Sequence, residues 1–156
     1  MHKRVFALCL CAVLFLSLLL PAFAAEESGE TAAIAISTAE EFLTFAENCR
    51  LDAYSRNLTV SLEADIDLSG REFESIPMFS GTLEGNGHTI MGLSLSAEGS
   101  AQGLFRYLTE ASVVQNLVLE GDIHPEGSRS QIGGIAGSSD GQILNCSYRG
   151  SLSGGD

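Results

Sequence analysis

The apolar positions of this chain change pattern twice along its length. Residues 5–20 form an almost unbroken apolar run that follows a short basic segment, residues 1–4. Ala22-Phe23-Ala24 then offers small residues at the two positions that a signal peptidase reads. The apolar run is shorter than the roughly 20 residues that a membrane-spanning helix needs. We therefore interpret residues 1–24 as a secretory signal peptide, cleaved after Ala24 or Ala25.

The second pattern is helical. Residues 25–35 are small and acidic and predict a flexible spacer. Ser37 and Glu40 then fit a helix capping box, in which a hydroxyl and a carboxylate satisfy the free backbone amides at a helix start. Four apolar residues follow at the spacing of one helix face: Phe42, Phe45, Ala46 and Cys49. We expect an amphipathic helix over residues 36–50 that caps the structure after it.

From Leu58 onward, short runs of Val, Ile and Leu alternate with glycine, asparagine and serine. Three segments of this region can be aligned: residues 88–95, 112–119 and 141–148. Their third positions are Ile90, Val114 and Ile143, their fifth are Gly92, Asn116 and Asn145, and their sixth are Leu93, Leu117 and Cys146. The interval between successive third positions is close to the length of one solenoid coil.

Further short segments lie between and before these three. Gly103-Leu104-Phe105 matches Gly134-Ile135-Ala136, and residues 58–62 and 65–68 are two alternating segments joined by a turn. None of these strands can bury its apolar side alone, whereas stacked coils close a continuous core. Asparagine and glycine tolerate the left-handed backbone that a sharp corner requires. Asn116 lying over Asn145 further predicts a short ladder of side-chain amides.

These repeats predict an all-β fold. We expect a right-handed parallel β-helix, a solenoid, whose coils span residues 51–156 and whose N-terminal end carries the amphipathic capping helix. The alternative is an antiparallel sandwich, which also has many short strands joined by turns. The in-phase repetition favours the solenoid. The one Asn-Gly pair, Asn86-Gly87, lies inside the glycine-rich segment 81–87, which we interpret as a corner.

A family resemblance rests on residues 133–150, GGIAGSSDGQILNCSYRG. This segment resembles the GLUG motif, a repeat of large bacterial surface proteins that include some IgA-specific metallopeptidases and adhesin-like proteins. Upstream segments look like the coils that precede such repeats, so the resemblance covers about residues 36–152. It implies a β-helical, extracellular module, often associated with the cell wall, and it carries over no catalytic residues. Arg106 stands where an earlier copy would end in glycine, so that copy is degenerate.

The last residues of the chain, Ser153-Gly-Gly-Asp156, stand where another glycine-led coil would begin. A solenoid needs capped ends, and a bare last coil exposes strand edges that invite association. We expect the chain to be truncated at its C-terminus relative to a longer protein. The alternative is that a partner covers this end, or that the chain associates with itself through the open C-terminal coil.

Charge and cysteine content narrow the function classes. The chain has a formal charge of −12 and a mean hydropathy of +0.19, and the apolar leader contributes much of that hydropathy. Cleavage of the leader removes Lys3 and Arg4, leaving six basic and twenty acidic residues, a net charge of −14. Such a surface repels phosphate backbones, which disfavours nucleic acid as a partner. Cys49 and Cys146 are too few for a disulfide scaffold or a zinc cluster, and coil stacking puts them too far apart to pair.

Candidate chemistry is sparse. Asp65 and Asp67, two apart on a strand, suit a calcium ion or a carboxylate pair, although outward acids of the fold offer a simpler explanation. His88 and Glu84 form a conceivable acid–base pair, against the simpler interpretation of a corner histidine in solvent. His124, before Pro125, is expected in a loop. Tyr54 and Tyr148 are the aromatic side chains best placed for sugar contact.

The sequence as a whole predicts an extracellular or cell-wall-associated module for adhesion, ligand display or spacing, and not an enzyme. No catalytic residue, cofactor or metal site is assigned. The expected partner is an unknown extracellular ligand, a glycan or a host protein. We expect the chain to contact the membrane only through its signal peptide, during export. The alternative is the N-terminal part of a carbohydrate-active β-helix enzyme, or of a large surface peptidase, whose catalytic residues lie outside this chain.

Overall fold

The structure, a computed structural model, describes residues 32–51, 53–126 and 131–154. Within these ranges the chain is a β-solenoid of about four turns with a single short helix. The strand pairs described there are all parallel. The parallel solenoid is therefore confirmed, and the antiparallel sandwich is excluded. The predicted signal peptide, residues 1–24, lies outside the described residues.

The elements follow one another around the coils. They are β1 (Ala32–Ile36), α1 (Ala39–Asn48), β2 (Leu58–Leu62), β3 (Ile66–Asp67), β4 (Ile76–Phe79), β5 (Thr82–Glu84), β6 (Thr89–Leu95), β7 (Ala101–Gln102), β8 (Phe105–Leu108), β9 (Val113–Gln115), β10 (Val118–Ile123), β11 (Gln131–Ile132), β12 (Ala136–Ser139), β13 (Gln142–Leu144) and β14 (Ser147–Leu152). Four parallel sheets result, with strand orders β1-β2-β5-β9-β13, β3-β6-β10-β14, β4-β8-β12 and β7-β11.

The core consists of ladders in which equivalent residues of successive coils lie over one another. One ladder runs through Ile34, Val60, Leu83, Val114 and Ile143. Its three middle members are fully buried. Since β-strand side chains alternate between the two faces of a sheet, one register error would turn the whole apolar set outward. The need to bury these apolar side chains in the interior therefore fixes the register of the short strands.

The register corrects the sequence alignment of the first repeat. The alignment sets Ile90 over Val114, but Ile90 pairs with Leu119, and Val114 pairs with Leu83. The coil from Leu83 to Val114 also passes through β7, whose one partner among the described residues is β11, so this coil is longer than the alignment assumes. The later alignment, Val114 with Ile143, is confirmed. The match of residues 103–105 with residues 134–136 is also confirmed.

Asparagines occupy the sharp corner that joins the first of these sheets to the second. Asn86, Asn116 and Asn145 all have positive φ, at 51°, 55° and 51°. Asn86 is therefore the corner residue of its coil, and the predicted equivalence of Gly92 to Asn116 is wrong. The predicted amide ladder is confirmed, since Asn145 Nδ2 donates to Asn116 Oδ1 at 2.7 Å. Asparagine suits this position because its short polar side chain tolerates the left-handed region.

Helix α1 covers the core at the N-terminal end, as predicted. Phe42, Phe45 and Cys49 are buried, and the Phe45 ring meets that of Phe79 edge-on at 6.0 Å. The cap differs by one residue from the prediction. The N-cap is Thr38, not Ser37, and its capping partner is Glu41 rather than Glu40. Thr38 is the residue with extended backbone at the helix start, which the cap geometry requires.

The predicted spacer, residues 25–35, is wrong where it overlaps the first strand. Residues 32–36 form β1, which pairs with all of β2. The repeated Ala and Ile side chains supply an alternating pattern that sheet pairing uses. Among the described residues, no helix is long and apolar enough to cross a bilayer.

Candidate functional site

The predicted acidic pair lies on the outer surface of the first coil. Asp65 and Asp67 are both exposed on either side of the buried Ile66. The Asp65 carboxylate accepts a hydrogen bond from the Thr89 backbone N–H at 2.9 Å and lies 3.2 Å from His88 Nδ1. These bonds lower its pKa. The Asp67 carboxylate closes a local turn by accepting from the Ser69 N–H at 2.8 Å, and bonding to Ser69 also lowers the pKa of Asp67. Asp65 therefore joins its coil to the next one, whereas Asp67 stabilises a local turn.

The conceivable acid–base pair of His88 and Glu84 is not brought together. His88 contacts Asp65, in the coil before it. Glu84 instead accepts bonds from Asn116 Nδ2 at 2.9 Å, from Gln115 Nε2 at 2.7 Å and from the Asn86 N–H at 2.8 Å. Burial alone would raise the pKa of Glu84, but these three donors lower it below its usual value. Glu84 therefore fastens the asparagine corner.

The two tyrosines lie at opposite ends of the solenoid. Tyr54 is half-buried and packs against the core in a groove beside β1 and α1. The Tyr148 hydroxyl donates to the Gly121 carbonyl at 2.6 Å, and burial, followed by the charge of Asp122, raises the pKa of Tyr148. The two rings cannot contribute to one sugar-binding surface. Within the described residues, no three His, Cys, Asp or Glu side chains come together as a metal site.

The cysteines also lie at opposite ends, as the coil order predicts. Cys49 is at the C-terminal end of α1 and Cys146 follows the last asparagine corner, and both are free thiols. Burial raises the pKa of Cys49 to about 12, and it also raises the pKa of the half-buried Cys146. Low-pKa thiolates are the reactive ones. Both thiols are therefore suited to packing.

One cleft was not predicted from the sequence. It has a volume of about 280 Å³ and lies between α1 and residues 72–77. The Arg50 guanidinium bridges Glu47 and Glu74 across it at 2.6 Å each, and this pairing lowers the pKa of Glu74. Apolar side chains, among them that of Phe73, complete the wall. The sequence predicts that Arg50 lies at the C-terminal end of the helix. Glu74 is 24 residues further along the chain, so only the fold brings the two side chains together.

A second unpredicted cluster connects the third coil to the last. His124 is expected only as a loop residue, yet its Nδ1 lies 2.6 Å from Ser153 Oγ and its Nε2 lies 3.0 Å from Ser151 Oγ. Ser151 also bonds the Asp122 carboxylate, which lowers the pKa of Asp122. These contacts join the His124 ring and the Asp122 carboxylate of one coil to the two serines of the next. The sequence repeat could have revealed this cluster, since extending the alignment of the last two coils sets Ser151 over Asp122.

The last strand of each of the four sheets belongs to residues 131–154, and we name these residues the terminal coil. Its inward positions repeat those of the coil beneath but are uncovered. Val114 and Ile123 are fully buried, whereas Ile143 and Leu152, directly above them, are 41% and 45% exposed. We name this uncovered cross-section of the core the terminal face.

The chain is similar to a protein named halomucin from Haloquadratum walsbyi, with 34% identity over 117 residues. The alignment covers 64% of this chain but only 1% of halomucin. The chain thus corresponds to a very small part of the protein that it matches. No protein-family profile matches the chain, and no solved structure matches it.

Proposed function

We propose that this chain is a module of an extracellular or cell-surface protein, and that its solenoid serves adhesion, ligand display or spacing without catalysing a reaction. The observation that carries the proposal is the in-register stack of coils. Its interior is filled by side chains, as the buried ladder of Val60, Leu83 and Val114 illustrates. Ligands can therefore meet only its outer faces or its ends, which is how solenoids bind extended partners.

Three further observations support the extracellular setting. The similarity to halomucin, a far longer protein, favours a surface protein. The GLUG-like segment 133–150 and the apolar leader of the sequence favour the same location. The non-catalytic assignment is supported by the candidate residues themselves, since Asp65, His88 and Glu84 are each engaged in bonds between coils.

Among the lateral surfaces, the cleft beside α1 is the best place for a ligand. It combines apolar walls with the carboxylates of Glu47, Glu72 and Glu74 around the guanidinium of Arg50. Mixed apolar and polar linings of this kind fix small ligands. A glycan or a short stretch of a host protein with a basic group fits its excess of negative charge.

Export and binding test the proposal. The full coding sequence is expressed in a bacterial host, and mass spectrometry of the exported chain should show an N-terminus after Ala24 or Ala25. The purified protein is then applied to immobilised glycans and matrix proteins. We expect Glu74→Gln, which removes one of the carboxylates of the cleft, to weaken any binding of a basic group there. Glu63→Gln, at an exposed carboxylate outside the cleft, should leave binding unchanged.

Retention in the cytoplasm with Met1 intact would contradict the extracellular assignment. Shortening of an applied polysaccharide would contradict the non-catalytic one and favour the enzyme alternative. Export without binding to any immobilised ligand would favour spacing over adhesion.

A further inference from the structure

A second lateral surface of the solenoid carries exposed apolar side chains. Before the terminal coil, three large apolar side chains of the described residues are exposed, those of Leu51, Met78 and Tyr107. Leu51 stands alone after α1, whereas Met78 and Tyr107 pair in register on β4 and β8 and are 41% and 40% exposed. The Tyr107 hydroxyl lies 3.1 Å from Ser100 Oγ, a hydrogen bond that holds the ring in place. The two side chains therefore form an apolar step that is ordered before any ligand binds.

Arg106 lies beside this step without a partner for its charge. It is half-buried, and its Nε is buried with no hydrogen-bond acceptor. No Asp or Glu of the described residues forms an ion pair with it. Glu74 is near enough for the Arg106 charge to act on it, but its carboxylate is held by Arg50 at 2.6 Å, and that bond is the main reason why the pKa of Glu74 is lowered. Such an unsatisfied donor calls for an acceptor from outside the chain.

The stacked coils show that the fold does not need an arginine at this position. The register of β8 with β4 and β12 sets Arg106 level with Pro77 in the coil before and with Gly137 in the coil after. At Gly137 even a Cβ atom would lie 2.6 Å from a backbone nitrogen. The same corner of the solenoid is thus built with proline, arginine or glycine, and the guanidinium is an addition to one coil that packing does not explain.

We name the outer surface of Met78, Arg106 and Tyr107 the Tyr107 face, and its chemistry narrows the class of ligand. A guanidinium pairs most strongly with a carboxylate, which it binds with two parallel hydrogen bonds. A tyrosine ring offers an apolar surface with a polar tip, which suits a sugar ring, apolar on its C–H face and polar at its hydroxyl rim. An extended peptide is disfavoured, because β4 and β12 already occupy both edges of β8.

The charge of the whole chain limits how many acidic groups such a ligand carries. Twenty acidic residues against eight basic ones repel a dense polyanion from a distance. A single carboxylate is attracted to a single guanidinium over a few ångströms, well inside the screening length of about 8 Å at physiological salt. A glycan in which one acidic sugar stands among neutral ones fits both conditions.

We infer that the Tyr107 face binds one acidic sugar residue of a glycan, with the sugar carboxylate on the Arg106 guanidinium and the sugar ring against Tyr107 and Met78. The face lies next to the cleft beside α1, whose lining includes Pro77, but it is a separate site. Its ligand does not have to enter the cleft, and binding here needs neither Glu74 nor Arg50.

Nuclear magnetic resonance on the exported, isotope-labelled chain tests the inference. The probes are methyl β-glucuronide, methyl β-glucoside, which differs from it only in lacking the carboxylate, and acetate, which lacks the ring. We expect the glucuronide to shift the Arg106 Nε–H signal and the backbone amide signal of Tyr107, with an affinity about tenfold higher than that of either other probe.

Two substitutions in the Tyr107 face provide independent checks. Arg106→Gln should lower the affinity for the glucuronide by about tenfold, because it removes the charge that the carboxylate meets. Tyr107→Ala should lower this affinity as well, whereas Tyr107→Phe keeps the ring and should bind as the unsubstituted chain does. Arg56→Gln is the matched control, since it removes the same charge from an exposed position elsewhere.

Circular dichroism establishes that each variant is folded before its affinity is compared. Equal affinities for the glucuronide and the glucoside, or equal losses in Arg106→Gln and Arg56→Gln, would overturn the inference. Binding of acetate as tight as that of the glucuronide would overturn the role of the Tyr107 ring. Shifts confined to the cleft residues Phe73 and Glu74 would overturn the inference and leave the proposed function in place. The absence of shifts with all three probes would overturn it too, whereas export and binding to immobilised ligands test the proposed function separately.

Discussion

Replacement of Asn116 tests how the asparagine corner holds successive coils together. Its backbone lies in the left-handed region, with φ of 55°. Its side-chain amide donates to both Glu84 oxygens, at 2.9 and 3.1 Å, and its carbonyl oxygen accepts from Asn145 at 2.7 Å. The residue thus combines a backbone requirement with bonds to the coils below and above. Asn116→Ala removes both contributions.

The magnitude follows from these contacts. A neutral side-chain hydrogen bond contributes roughly 1 kcal/mol, and one to a charged group about 1.5 kcal/mol or more. The partial exposure of Glu84 favours the low end of that range. Alanine at a positive φ costs about 1 kcal/mol more. We therefore expect Asn116→Ala to lower the free energy of unfolding by about 3 kcal/mol in total. Asn116→Gly loses the same bonds without the backbone strain, so its loss should be about 1 kcal/mol smaller.

Urea unfolding followed by far-ultraviolet circular dichroism measures both variants, with the slope against urea checked for constancy. Equal losses for Asn116→Ala and Asn116→Gly would refute the backbone part of the reasoning. Losses below about 1 kcal/mol in both would refute the ladder.

A pH series provides an independent check of the same corner. The pKa of Glu84 is lower in the folded chain than its ordinary value of 4.5. Its ionised form therefore stabilises the fold above that ordinary pKa, and the contribution is lost as the pH falls through the folded pKa. Asn116→Asp replaces the donor with a second carboxylate, so its deficit at neutral pH should shrink on acidification. A deficit that is constant with pH would show that the Glu84 charge is not involved.

Three further substitutions or modifications test other parts of the fold. Gly85→Ala places a Cβ 2.4 Å from a backbone oxygen of the next coil, so it should lower the free energy of unfolding by about 3 kcal/mol or prevent folding. Gly70 has open space around it, and Gly70→Ala should cost only about 1 kcal/mol because of the positive φ. Equal effects of the two substitutions in urea unfolding would contradict this reasoning. Phe79→Ala should cost about 3–5 kcal/mol, because its ring joins α1 to the coils, and Phe79→Leu should cost less in the same assay. Iodoacetamide at mildly alkaline pH should modify Cys146 before Cys49, whose pKa of about 12 leaves little thiolate, and mass spectrometry showing the reverse order in folded protein would contradict it.

Much of the fold is visible in the sequence because both regular elements repeat a simple period. The stripe of Phe42, Phe45, Ala46 and Cys49 has the spacing of one helix face, and all four residues are buried. The coils repeat closely enough that the match of Val114 with Ile143, and the ladder between the asparagines that follow, could be deduced without coordinates. These features depend on local geometry, which neighbouring residues in the chain determine.

Other features depend on which residues from distant parts of the chain meet. The interval from Val60 to Leu83 is shorter than the interval from Leu83 to Val114, yet the three residues occupy one ladder. Loops absorb such differences at little cost, so residue spacing alone misaligned Ile90. The pairings of His88 with Asp65, of Arg50 with Glu74 and of His124 with Ser153 follow from that register.

The sequence by itself determined the class of fold, the helix stripe, the asparagine corners and the acidic charge, because each is set by composition or by a short period. Only the tertiary structure decided which outer side chains bond to one another and which inward-facing apolar residues are exposed to solvent. Val114 and Ile143 are alike as residues, but the first is fully buried and the second is 41% exposed. Burial depends on the coil above, and a coil's neighbours are a property of the stack rather than of any one segment.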